Sequence, residues 1–216
     1  MRVWMLAMLI CVVTPVWAAA QTAAATLPDN DITLSTGWAG AEHKIYDQRH
    51  WHGSLLLGAR IGHHWTDHLK TEVEASWDSP RSREVYENIE RQGGTTYALS
   101  DYRAHDTRVG VVQVFQFGRN EWVHPYVGVG ADVVRRVAIT ERLEQSRTVF
   151  VPPNRQVPVT IPASREEKTT VFAQAVLKTG LKMYVTERVF FNTELKFGVR
   201  RDIDQVVWKF GLGVDF

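Results

Sequence analysis

The chain has 216 residues, enough for one domain of ordinary size, and its 25 lysines and arginines almost balance its 24 aspartates and glutamates. Charges of both signs are interspersed, so nothing in the balance favours nucleic acid as a partner. The single cysteine, Cys11, excludes an internal disulfide.

Residues 1–20 open with one cation, Arg2, continue uncharged from Val3 to Trp17 and end on Ala18, Ala19 and Ala20. That order is the order of a secretory signal peptide, with cleavage expected after Ala20 and residues 21–216 left as one domain. The run is short for a membrane helix, Pro15 interrupts it, and no basic stop-transfer cluster follows. Ile10 is too large for the position before a lipoprotein cysteine. Since Cys11 leaves with the signal, thiol chemistry and cysteine-ligated metal are not expected in the mature protein.

The remainder alternates with a period of two, which marks strands with one apolar face. The first, residues 32–40, sets Ile32, Leu34, Thr36 and Trp38 against Thr33, Ser35, Gly37 and Ala39. The second, 54–65, sets Leu55, Leu57, Ala59, Ile61 and Trp65 against Gly58, Arg60, Gly62 and His64. The third, 69–79, sets Leu69, Thr71, Val73, Ala75 and Trp77 against Lys70, Glu72, Glu74 and Ser76. The fourth, 104–117, has Val109, Val111, Phe115 and Phe117 in one row, but Gln113 breaks the row and Val112 and Val114 lie opposite, so its faces stay unassigned. The fifth, 125–139, sets Val127, Val129, Ala131 and Val133 against Gly128, Gly130 and Asp132. The sixth, 169–185, sets Val171, Ala173, Ala175, Leu177, Thr179, Leu181 and Met183 against Gln174, Lys178, Gly180, Lys182 and Tyr184. The seventh, 188–199, sets Val189, Phe191, Leu195, Phe197 and Val199 against Asn192, Glu194, Lys196 and Gly198. The eighth, 206–216, sets Trp208, Phe210, Leu212, Val214 and Phe216 against Lys209, Gly211, Gly213 and Asp215.

The connections alternate as well. Residues 66–68, 118–124 and 186–187 are short turns, whereas 41–53, 80–103 and 140–168 are long; only 200–204 departs from that alternation. Short turns on one side and long loops on the other is the asymmetry of a transmembrane β-barrel, with turns and both termini periplasmic and loops extracellular. No stretch is long and apolar enough for a helical span, so a membrane-spanning chain must close into a barrel that satisfies its own backbone. A soluble lipocalin-type barrel would place its charges outside, the reverse of the face they share here with glycine. Trp38, Trp51, Trp65, Trp77, Trp122, Trp208, Tyr126 and Phe216 fall near strand ends, where amphipathic rings are expected at headgroup level.

The signal segment, the eight alternating strands, the Pro125-Tyr126-Val127-Gly128-Val129-Gly130 segment, the Gly211-Leu212-Gly213 piece and the terminal Phe216 together resemble the small outer-membrane β-barrel superfamily that includes the OmpA transmembrane domain, OmpX and OmpW. The resemblance implies an all-β, eight-stranded antiparallel up-and-down transmembrane barrel in the outer membrane of a Gram-negative type of cell. It also implies partners in outer-membrane lipids and lipopolysaccharide, and in the barrel assembly machinery during insertion. A fold and an address transfer with such a resemblance; an activity does not. Because the chain ends on Phe216, a peptidoglycan-binding domain like that of full-length OmpA is not expected.

The chemistry lies in the expected lumen, which holds Arg60, Lys70, Glu72, Glu74, Asp132, Lys178, Lys182, Glu194, Lys196, Lys209 and Asp215. Eight strands leave an interior that side chains can fill, and confined charges must pair or stay hydrated. The expectation is a plug of ion pairs built from Arg60, Glu72, Glu74, Lys178, Glu194, Lys196 and Lys209, with Lys209 within reach of Glu194. A narrow path for ions or small apolar molecules is the alternative. His52-Gly53-Ser54 resembles the His-x-Ser pair of lipid A deacylases, but it lies early in the barrel, Trp51 replaces the expected aromatic and no carboxylate is well spaced, so no enzyme is expected. His43, His50 and His52 invite a metal, yet a third and fourth ligand are not evident, so neither metal nor cofactor is expected. Loops 80–103 and 140–168 are candidate surfaces for a partner; the latter, carrying Pro152, Pro153, Pro158 and Pro162 among valines, could also extend the sheet as a hairpin above the membrane, and a variable, extended surface loop is the preferred expectation.

Overall fold

The computed structural model describes residues 28–45, 48–91, 94–117, 122–151 and 155–216; the expected signal segment lies outside them, as do Pro152 and Pro153. Eleven strands follow one another: β1 (Asn30–Ile45), β2 (Gln48–His64), β3 (Leu69–Asp78), β4 (Arg81–Arg91), β5 (Gly94–Gln116), β6 (Val123–Arg142), β7 (Gln145–Val151), β8 (Arg155–Ile161), β9 (Ser164–Tyr184), β10 (Val189–Val199) and β11 (Ile203–Asp215). Among the described residues no helix is long and apolar enough to cross a membrane.

Eight strands form the ring β1-β2-β3-β5-β6-β9-β10-β11, and β11 closes it by pairing antiparallel with β1 from Asp31↔Asp215 to Ala41↔Gln205. Closure leaves no row of unpaired N–H and C=O groups at the level where lipid would meet them. β3 and β4 are one wall interrupted at Ser79 and Pro80: Trp77 pairs with Thr107 and Arg81 with Ala104, both on β5. Proline has no N–H to give a ladder, so the wall breaks there and resumes.

The faces are inverted relative to a soluble barrel. On β11, Trp208, Phe210, Leu212 and Val214 are 40–52% exposed, while Lys209 and Asp215 between them are 6–7% exposed. β5 obeys the same rule once Gln113 is placed. Its row faces outward with Val109, Val111, Phe115 and Phe117, and its amide is occupied, accepting from the Thr71 hydroxyl at 2.8 Å and donating to the Lys70 carbonyl at 3.0 Å. Asp106, Arg108, Val112, Val114 and Gln116 point inward.

Two of the turns use one device. The Thr66 hydroxyl accepts from the Leu69 N–H at 3.0 Å and the Thr186 hydroxyl from the Val189 N–H at 3.0 Å, each fixing a tight return between β2 and β3 or β9 and β10. At the opposite end the structure departs from the sequence expectation. The described residues of segments 41–53 and 80–103 are mostly extensions of the wall, with β1–β2 pairing reaching Ile45↔Gln48 and β4–β5 pairing reaching Arg91↔Gly94. Segment 140–168 holds the ends of β6 and β9, paired to Arg142↔Ser164, and a hairpin of its own, β7–β8. At the start of β9 both faces meet water, and residues 164–170 are exposed without exception although they are in a strand. On β5 the inward row stays buried at Ala98, Ser100 and Tyr102, but the outward row is no longer apolar throughout, so the sequence contrast is lost. A second correction concerns Tyr126, expected among the headgroup aromatics. With Val127 and Val129 outward it has to point inward, and it is buried in the lumen.

β5 and β6 approach so closely that a Cβ on Gly130 would collide with the backbone of Val111 and Val112. Gly130→Ala is therefore expected to lower barrel stability by about 1–3 kcal/mol, seen as a lower urea midpoint for unfolding in micelles; an unchanged midpoint would show that the strand pair yields freely.

Candidate functional site

Alternate residues of each ring strand enter the lumen, and lumenal glycines supply the room that long charged side chains need to cross it. A Cβ on Gly62 would meet Asp31 and the Lys70 stem, one on Gly110 would meet Asp132, and one on Gly211 would meet Asn192 and Thr33. Arg60 on β2, Glu72 and Glu74 on β3, Lys178 on β9, Glu194 and Lys196 on β10 and Lys209 on β11 are all buried there. The structure brings all seven expected residues into one cluster.

Its centre is a set of shared partners. Glu194 accepts from Arg60 at 2.8 Å and the Tyr126 hydroxyl at 3.0 Å, and pairs with Lys209 at 2.6 Å and Lys178 at 3.3 Å. Glu74 takes Lys178 at 2.6 Å, Lys196 at 2.7 Å and Lys209 at 3.2 Å. Lys178 also holds Glu72, which Arg60 reaches at 3.5 Å, and Lys196 reaches Asp132 at 2.9 Å. These pairs cross the interior: β3 and β10, which carry Glu74 and Lys196, stand on opposite sides of the ring. Glu194 and Lys209 are also direct neighbours in the β10–β11 register.

The network continues toward both ends. Near the short turns, Lys70 binds Asp31 at 2.7 Å, Lys182 binds Asp215 at 2.7 Å, and the Tyr184 hydroxyl donates to Asp215. Lys182 also lies 3.8 Å from the centre of the Phe190 ring, a cation–π contact. Toward the hairpins, Arg108 joins Asp78 at 2.9 Å and Asp106 at 3.1 Å, and Arg136 grips Asp106 with two bonds of 2.8 Å. The carboxylates of Asp31, Glu72, Glu74, Asp78, Asp106, Asp132, Glu194 and Asp215 are thus matched one for one by Arg60, Lys70, Arg108, Arg136, Lys178, Lys182, Lys196 and Lys209. Asp31, Asp78, Asp106, Arg108 and Arg136 were missed in the sequence reading. Asp31 and Asp78 sit at strand ends, and the even positions of β5 carried the signal for Asp106 and Arg108, hidden because Val112 and Val114 share their row.

Two other chemistries were weighed in the sequence. His52 and Ser54 lie on one face of β2; the single Ser54 hydroxyl proton has two acceptors within reach, an Asp78 carboxylate oxygen at 3.1 Å and the Ala39 carbonyl at 3.3 Å, and the His52 ring lies 5.3 Å from that of Tyr102. Twelve residues from the foot of β2, His52 stands about 30 Å up the wall, above an apolar band of about 25 Å. There burial first, then Arg83, His50 and Arg136, pushes its imidazole down to about 4, so it is neutral at pH 7. Of the histidine trio, His43 pairs with His50 in the register, but its side chain lies outside the described residues. Among the described residues the carboxylates close enough to share a cation are instead Glu72, Glu74 and Glu194, with ligand oxygens within 4.8 Å of one another. Arg60, Lys178 and Lys209 already occupy the space around them, which opposes a divalent ion by repulsion.

Truncating one member of a buried pair leaves the others uncompensated. Glu194→Ala is expected to cost about 3–5 kcal/mol, with Glu194→Ala/Lys209→Ala costing less than the two single changes together. Urea unfolding of the four proteins gives the coupling, and strict additivity would deny it.

The sequence matches the family described as outer membrane protein beta-barrel domain over residues 9–216. No curated protein matches it. Among solved structures it is similar to the outer membrane protein OprG of Pseudomonas aeruginosa, at 13% identity and a TM-score of 0.53, covering 88% of this chain and 97% of that one. It is likewise similar to Neisserial surface protein A (NspA), at 13% identity and a TM-score of 0.51, covering 87% and 97%. The β-barrel domain of OprF, also from Pseudomonas aeruginosa, is 15% identical with a TM-score of 0.46 over 88% and 99%. The family match spans nearly the whole chain, and the ring of eight strands is a closed β-barrel as its description states: the chain belongs to the outer membrane protein beta-barrel domain family.

Proposed function

We propose that this barrel is a sealed element of the outer membrane, its lumen closed by the ion-pair plug, acting as a structural or surface-interaction protein with no covalent chemistry, resident metal or cofactor. The observation that carries the reading is the central cluster, where Glu72, Lys178 and Glu194 are each 1% exposed while their partners reach from opposite walls. In this reading the short turns and both termini face the periplasm, and the tall hairpins, including segments 80–103 and 140–168, face outside and meet a surface partner. Residues 1–20 direct export, and lipids, lipopolysaccharide and the assembly machinery are the partners of insertion.

What supports the absence of catalysis is the Ser54 hydroxyl, which is engaged with a carboxylate that Arg108 already neutralises. A serine so placed lacks the imidazole contact that would activate it. A narrow conduit is the second reading; it would have to extend from a small cavity of about 10 Å³ lined by Ser35, Ser76, Arg60, Glu74, Asn192 and Lys209, room for one water.

Two measurements separate these readings. Liposomes carrying the protein are expected to pass potassium and chloride no faster than empty ones, and a specific flux abolished by filling that cavity with Ser76→Phe would establish the conduit instead. Expression of the protein is expected to leave the acyl chains of lipid A intact; their loss, prevented by Ser54→Ala, would overturn the non-enzymatic reading.

A further inference from the structure

The outward rows of β5 and β6 end differently from those of their neighbours. On β6 the row runs Val127, Val129, Ala131, Val133 and then Arg135; on β5 it runs from Phe117 up to Val109, then Thr107, His105 and Arg103. Thr107 pairs with Arg135 and His105 with Val137, so Arg135 and His105 are diagonal neighbours on the outer face, about 7 Å apart. Twelve residues separate Arg135 from Val123 at the foot of β6, and twelve separate His105 from Phe117 at the foot of β5. At ~3.4 Å per residue and a tilt of ~40°, both stand about 30 Å up the wall, just beyond an apolar band about 25 Å tall.

Arg135 is exposed, and among the described residues no carboxylate pairs with it. The acids sharing its face are directed elsewhere: Asp101 is held by Arg103 at 2.7 Å, Glu141 by Arg165 at 3.8 Å, and Glu167 stands opposite Ile139. In the lumen, by contrast, each cation has its carboxylate. A guanidinium at headgroup level, directly above an apolar row on the same strand, presents a planar fork suited to phosphate together with a surface suited to acyl chains.

We propose that Arg135, with His105 beside it, forms a binding site for the phosphate of an outer-leaflet glycolipid, whose acyl chains lie along the outward residues of 127–133. Continuity of the cation with the apolar row selects a lipid over free phosphate, since a soluble anion would gain nothing from the valines. The outer-leaflet assignment rests on the orientation proposed above.

The test is retention of lipid A by the purified barrel in micelles, read by native mass spectrometry. Wild type is expected to keep one molecule, Arg135→Gln to bind about tenfold more weakly, and lipid A stripped of its phosphates to bind wild type as weakly as that variant. Arg165→Gln, which removes an outward arginine already engaged with Glu141, is expected to bind as wild type does. Equal retention by wild type and Arg135→Gln would overturn the site, and displacement by inorganic phosphate at millimolar concentration would replace the lipid with a free anion. Orientation is read separately through Thr148→Cys in intact cells. Labelling by an impermeant maleimide supports the outer leaflet; protection with unchanged binding in micelles would overturn that assignment alone.

Discussion

The whole structure depends on one constraint: a backbone surrounded by lipid must satisfy its own N–H and C=O groups. Closing β11 onto β1 meets it, and everything else follows from that ring. Once the outside must be apolar, every polar residue of the alternating strands is forced inward, into a space too narrow to remain a wide aqueous channel. Charges brought that close to one another and away from bulk water are tolerable only when matched. The matched set of carboxylates and cations in the lumen is therefore a condition of the fold as much as a feature of function.

The network is built from shared partners. Lys178 serves Glu72, Glu74 and Glu194, and Lys209 serves Glu74 and Glu194, so no bridge stands alone. Such sharing makes the interior cooperative: removing one charge disturbs several partners. Lumenal glycines are the geometric counterpart. At Gly62, Gly110 and Gly211 a missing side chain gives a neighbouring charged or amide group its place.

Cation type divides the molecule in a way that matches the two environments. The lumenal cluster is mostly lysine, whose flexible stem lets one ammonium reach several carboxylates, while the upper walls and hairpins carry mainly arginine. Arg108 and Arg136 mark the transition, meeting Asp78 and Asp106 where the barrel rises out of the apolar band. Arg49, Arg135, Arg165 and Arg200 lie beyond it or on its outer face, exposed to headgroups or solvent.

By itself the sequence determined strand faces wherever lipid lies on one side and the lumen on the other, because that contrast writes a period of two into the residues. Val206 to Phe216 and the third strand show it plainly, and from them the ring, the inverted faces and the seven central charges were legible. The contrast fails above the apolar band, so segments 41–53, 80–103 and 140–168 looked like loops although most of their described residues lie in paired strands. It also fails where valines line both faces, which hid Asp106 and Arg108, and where position was read instead of parity, which misplaced Tyr126. Adjacent strands made the Glu194–Lys209 pair legible, but partner identity across the lumen was decided by the tertiary structure alone. That Arg60 meets Glu194, or Lys196 meets Glu74, depends on which strands face one another across the closed ring, a relation that no local pattern records.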